Sequence, residues 1–114
     1  MDNEIANSGP LSITEDTTLS LPQIRERLRP VFEKYGIRKA ILFGSYAKQC
    51  AKDTSDVDLV IDSGLKGLSF VNMAIEVEAA LGKPVDIFDI THIKAGSAID
   101  LEIQRTGVVI HAIS

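Results

Sequence analysis

Apolar residues recur along this chain in two rhythms, and the changes between them divide it into elements. Ile24, Leu28, Val31, Phe32 and Tyr35 follow at spacings of four, three, one and three, the single stripe of an amphipathic helix. Ahead of them, Ser20-Leu21-Pro22-Gln23 has the form of a capping box, with proline in the first turn where its missing N–H does no harm. Pro30 is expected to interrupt and bend this helix, and Gly36 to end it. Residues 37–43 are short, apolar and followed by glycine, which predicts a strand. Residues 45–51 are expected to form a short helix opening at the Gly44-Ser45 turn. Residues 57–61 read as a second strand. Phe70, Ala74, Val77 and Leu81 mark a second amphipathic helix, closed by Gly82 with Pro84 just beyond.

Residues 85–90 read as a third strand. Ser97 with Asp100 three residues on predicts another helix cap, Ile99 and Ile103 lie on the inner face of that helix, and Gly107 ends it. Residues 108–111 form a terminal strand. Residues 1–18 are rich in Ser, Thr, Asn, Asp and Glu and are expected to be a flexible arm, with Leu11 and Ile13 as candidates for a short edge strand. Residues 19–114 are then one domain. Helices alternate with strands, so the fold class is α/β (α+β), a small mixed sheet with helices packed on it.

Composition narrows the function classes. The 114 residues are 45% apolar and 25% charged, ordinary globular usage. Twelve basic residues against sixteen acidic ones give a net charge of −4, which argues against a basic face for direct nucleic-acid binding. Nucleotides stay open, because a divalent cation inverts local charge. Cys50 is the only cysteine, so no internal disulfide forms, and a lone thiol suits a reducing compartment. The first residues carry no basic start followed by an apolar stretch, and no run is long enough to span a bilayer. The expectation is a soluble, cytoplasmic protein without a membrane partner.

The candidate chemistry lies in the second strand. Side chains alternate, so Asp56, Asp58, Val60 and Asp62 share one face and Val57, Leu59 and Ile61 the other. The apolar triplet faces the core. Asp56 and Asp58 sit about 6–7 Å apart at ~3.3 Å per residue, and Asp62 is roughly 13 Å beyond Asp58, too far to share an ion. At ~5 Å and an effective dielectric of about 20, two carboxylates repel by on the order of 3 kcal/mol. A hard cation removes that repulsion, and oxygen ligands without nearby Cys or His suit magnesium or manganese. Alone, the pair is equally readable as two solvated strand-edge carboxylates or a sugar-nucleotide DxD. Gly44-Ser45 adds a second half: a glycine that lets a ligand approach the backbone, a hydroxyl donor, and exposed N–H groups that favour phosphate. Lys48, one turn on, adds positive charge.

Gly44-Ser45, ten residues, then Asp56-Val57-Asp58 resembles the GS-x10-DxD signature of the minimal nucleotidyltransferases, small relatives of the DNA polymerase β superfamily. The similarity runs from about Leu21 to Ile110. It implies that Gly44 and Ser45 hold the β/γ-phosphates of ATP or another nucleoside triphosphate, and that Asp56 and Asp58 bind two Mg2+ ions, with Mn2+ as the alternative. A third catalytic carboxylate is implied on the next strand. From the residues alone, Asp86 and Asp89 point to opposite faces and neither is preferred; the family pattern selects Asp86. The family usually has Arg and Gly where this chain has Lys48 and Gln49, so the phosphate grip of Lys48 lacks the planar fork.

The resemblance further implies AMP transfer to a hydroxyl. Small members are commonly antitoxins of two-gene toxin–antitoxin pairs whose partner is a helical HEPN-type ribonuclease, silenced in some pairs by AMP on a tyrosine (AMPylation, type VII-like). Transfer to a small hydroxylated molecule such as an aminoglycoside, and a non-catalytic antitoxin acting by contact alone, are the two alternatives. With no second domain in the chain, a partner or a homo-oligomer is expected to complete the site. His92, His111, Cys50, Tyr46, Glu102, Arg105 and the residues 25–29 read as structural or surface positions, with Cys50 and Tyr46 packed.

Overall fold

The computed structural model describes residues 18–52 and 55–113. The expected arm, with the Leu11 and Ile13 strand, lies outside them. At Ser20 the capping box closes in both directions. Gln23 N–H donates to Ser20 Oγ at 3.2 Å, and Ser20 N–H donates to Gln23 Oε1 at 2.8 Å. Helix α1 spans Leu21–Lys34 and buries Ile24, Leu28, Val31 and Phe32. Pro30 does not interrupt it. The helix runs on through the proline for another turn, with its stripe committed to the core on both sides.

Strand β1 is Lys39–Phe43, β2 is Val57–Asp62 and β3 is Val85–Asp89; helix α2, Leu68–Leu81, connects β2 to β3. A single 3-10 turn at Ile90–His92 follows β3, then helix α3, Ala98–Thr106, and strand β4, Val108–Ala112. The four strands form one mixed sheet in the order β3-β2-β1-β4. β1 pairs antiparallel with β2 and β4, while β2 and β3 run parallel, as the α2 crossover requires.

Alternation sorts the strands into two faces. Ala40, Leu42, Val57, Leu59, Ile61, Val85 and Ile110 point into a core shared with α1 and α2. The two helices are also clasped outside it, where Lys34 Nζ and Tyr35 OH both donate to Glu76 at 2.8 and 2.5 Å. The opposite face carries Ile41, Phe43, Asp58 and Val60 and is covered in part by the 3-10 turn and α3. The chain leaves α3 so close to β1 that a Cβ on Gly107 would lie 2.4 Å from Ile103 O and 3.0 Å from Ile41 Cγ2. Glycine is needed there for contact, not for turn geometry.

The expected helix at residues 45–51 is a single turn. Lys48 N–H reaches Gly44 O and Cys50 N–H reaches Ser45 O, both at 3.0 Å, but Gln49 turns left-handed at φ 60° and the run stops. Among the described residues Gln49 is the one non-glycine at positive φ. It sits where the resembled family usually has glycine, and Gln49 carries the strain of a conformation that glycine adopts freely.

Candidate functional site

The parallel register of β2 and β3 sets Asp58 directly beside Asp86, and the antiparallel register of β1 sets Phe43 on Asp58's other flank. Phe43 is the last residue of β1, so Gly44 turns away immediately next to the carboxylate. A Cβ on Gly44 would lie 2.6 Å from Asp58 Oδ2, and its φ of +77° is left-handed as well. No side chain fits at 44 while Asp58 stays in place.

Asp58 is half-buried. Burial, then the charge of Asp86 and a hydrogen bond to it, then Asp56 and Glu102, push its carboxyl up to about 6. Asp56 lies two residues earlier, exposed in the segment leading into β2, with its charge felt at Asp58. The structure therefore brings Asp58 and Asp86 together and leaves Asp56 at the rim. As placed, no three His, Cys, Asp or Glu side chains among the described residues are gathered into a ready metal centre. The donor set still suits a hard cation: adjacent carboxylates, with no sulfur, imidazole or relieving cationic side chain beside them among the described residues.

The Gly44 turn faces the same corner. Gly44 N–H is already used, donating to Thr106 Oγ1 at 3.0 Å, while the Thr106 hydroxyl donates to Glu102 O at 2.8 Å. The N–H groups of Ser45, Tyr46 and Ala47 have no protein acceptor among the described residues, the condition of the first turn of any helix. Ser45 is half-buried and keeps its hydroxyl available. Lys48 is exposed, with Nζ 4.0 Å from Glu102 Oε2. Tyr46 is buried, as expected, and its phenol oxygen accepts a hydrogen bond from Lys83, the residue just before Pro84-Val85-Asp86.

The sequence alone does not show the part that three of these residues play. Glu102, expected on a solvated helix face, is half-buried within the field of Asp58. Thr106 and Lys83 drew no attention at all. One signal was present in the chain: Glu102 and Thr106 are one helical turn apart, just before a glycine that no chain reversal demands.

Other residues stand apart. Asp62 is held by Arg38, with Nη2 3.0 Å and Nε 3.3 Å from Oδ1. Asp89 caps the 3-10 turn, accepting from Thr91 N–H at 2.9 Å and Thr91 Oγ1 at 2.8 Å, and the first of these bonds draws its carboxyl below the usual range. His92 is exposed. His111 contacts Ile37 O at 3.0 Å and stacks on Phe32. Cys50, expected to pack, is exposed. A cavity of about 570 Å3, lined by Leu65, Phe70, Ile87, Phe88, Ile93 and Ile99 among others, lies at the far end of β2 and β3, and no carboxylate of the predicted set lines it. No helix among the described residues is long and apolar enough to cross a membrane.

Residues 26–114 match the family described as "Polymerase beta, Nucleotidyltransferase". A Thermococcus cleftensis protein named "Protein adenylyltransferase MntA" is 37% identical over 68 residues, 58% of this chain and 69% of that protein. Among solved structures, a toxin–antitoxin crystallised with AMP-PNP superposes with a TM-score of 0.66 at 17% identity, covering 79% of this chain and 74% of that one. A tri-AMPylated Shewanella oneidensis HEPN toxin in complex with its MNT antitoxin gives a TM-score of 0.61 at 15% identity, over 82% and 73% of the two chains. At those identities the likeness is one of fold.

Proposed function

The chain belongs to the polymerase β nucleotidyltransferase family, and we propose that it transfers AMP from Mg-ATP to a hydroxyl group of a partner protein, a tyrosine of a HEPN-type toxin. The observation that carries this reading is the register that faces Asp58 with Asp86 against a glycine with no room for a side chain. The naming of a relative as a protein adenylyltransferase, and of fold neighbours as toxin–antitoxin complexes, supports the choice of AMP and of a toxin as acceptor.

In this reading Asp56, Asp58 and Asp86 hold the metal ions, which when bound neutralise charge on the triphosphate. Ser45 offers its hydroxyl and, with Tyr46 and Ala47, backbone N–H groups to the phosphates. Gly44 contributes space beside Asp58, and Lys48 leaves Glu102 to meet the outer phosphates. The acceptor oxygen attacks the α-phosphorus, the bond from that phosphorus to the bridging oxygen breaks, and pyrophosphate leaves. Asp86, on the edge strand and exposed, orients the hydroxyl and takes its proton. The remaining catalysis is positioning.

ATP labelled at the α-phosphate, incubated with the protein and its neighbouring gene product, tests this. Label on the partner that disappears in the Asp56→Ala/Asp58→Ala variant is the expected result. Neutralisation of the partner that survives in that variant, without label, overturns the proposal in favour of an antitoxin acting by contact.

A further inference from the structure

The turn that faces the carboxylates has little to hold itself in shape. It is one turn long, begins at a left-handed glycine, ends at a left-handed glutamine, and leaves three consecutive N–H groups without an acceptor among the described residues. Such a segment on its own samples many conformations. Yet it is gripped from two sides by side chains distant in sequence. From α3, Thr106 Oγ1 accepts the Gly44 N–H at 3.0 Å. From the bend just ahead of β3, Lys83 Nζ donates to the phenol oxygen of Tyr46.

We propose that Thr106 and Lys83 are positioning residues, which from opposite sides pin the Gly44–Ala47 turn against the Asp58–Asp86 pair before any nucleotide binds. The kinetic half of this inference rests on the transfer reading above.

The chemistry of each contact is directional. Thr106 spends its own proton on Glu102 O, so the oxygen presents lone pairs to Gly44 and can act there only as an acceptor. With its first N–H so occupied, the turn is fixed with the next three donors presented together. Lys83 precedes Asp86 by three residues, so the side chain that steadies Tyr46 is rooted in the bend that leads into the strand carrying the third carboxylate. Thr106 stands one turn from Glu102, which holds Lys48. The cradle is thus tied to the helix that carries Glu102 and to the segment that leads into Asp86, and loosening either tie moves it relative to the carboxylates. Misplacement by about 1 Å is enough to cost on the order of a hundredfold in rate.

Thr106→Val keeps the branched shape and removes the acceptor, whereas Thr106→Ser keeps both hydroxyl roles. We expect Thr106→Val to lower kcat at least about tenfold with nucleotide KM changed less than threefold, and to speed amide exchange at Gly44 at least tenfold. Thr106→Ser restores both to near wild type. Tyr46→Phe and Lys83→Met lower kcat in the same way without speeding exchange at Gly44. A hydroxyl that merely completes a buried network would lower the melting temperature and leave the kcat-to-KM split untouched. Wild-type exchange at Gly44 in Thr106→Val, or wild-type kcat in folded Thr106→Val and Lys83→Met, overturns the inference. If Thr106→Val does not fold, Lys83→Met and Tyr46→Phe decide it. If wild type itself moves no AMP, the transfer reading has failed, and the exchange measurement alone judges the pin at Gly44.

Discussion

The two ends of the β2–β3 pair carry the same residue type in the same sheet and treat it oppositely. At the far end Asp62 is clasped by Arg38, and Asp89 accepts hydrogen bonds from Thr91 as it caps the 3-10 turn. At the near end Asp58 and Asp86 face one another with no cationic side chain among the described residues to offset them, and Asp58 is pushed up to about 6. The far end is satisfied by the chain itself. The near end is left unsatisfied, and that is where an external cation would stabilise the fold instead of merely binding to it. Unrelieved repulsion in a folded domain marks function better than the presence of acid.

The largest effect should come from Asp58→Asn. Transfer is expected to fall on the order of a thousandfold, because charge stabilisation in such sites is worth that much, while the same variant melts at a higher temperature than wild type in metal-free buffer. A variant that is both inactive and less stable would break the contrast between the two ends. Next is Gly44→Ala. A Cβ 2.6 Å from Asp58 Oδ2, at a left-handed φ, should destabilise by about 1–2 kcal/mol and displace the carboxylate, read out by denaturant unfolding.

Smaller again is the effect of pH. The carboxyl of Asp58 is raised in the folded chain from an ordinary value near 4 to about 6. Its favourable contribution is therefore complete below pH ~4 and lost as pH rises through about 6. Allowing for screening of a half-exposed group, the loss is about 1 kcal/mol. Unfolding of wild type compared with Asp58→Asn across that window should show it in EDTA, and saturating Mg2+ should remove it. Asp89 has the opposite sign: its contribution is present at neutral pH and lost in acid. Smallest is Arg38→Ala at the far end, a surface pair worth less than about 1 kcal/mol, with transfer unchanged. A loss of transfer there would show that the two ends are coupled.

Much of this was legible in the chain because it depends on neighbours. Ser20 and Gln23 cap α1 three residues apart, and Asp58 falls opposite the core-facing Val57, Leu59 and Ile61 by simple alternation. The choice between Asp86 and Asp89 was not legible from the residues, since it turns on the register of two strands joined by a fourteen-residue helix. Thr106 and Lys83 were invisible for the same reason: their partners lie 62 and 37 residues away. The misread helix after Ser45 has a local cause. Its polar and apolar spacing permits a helix, but a backbone that turns left-handed at both Gly44 and Gln49 admits one turn between them.

Cys50 closes that turn, donating its amide to Ser45 O, and its thiol is exposed and is the only one in the chain. A maleimide dye would therefore attach at a single place, beside the loop whose movement matters most. Arrival of a nucleotide could be followed as a change in brightness without altering any other amino acid.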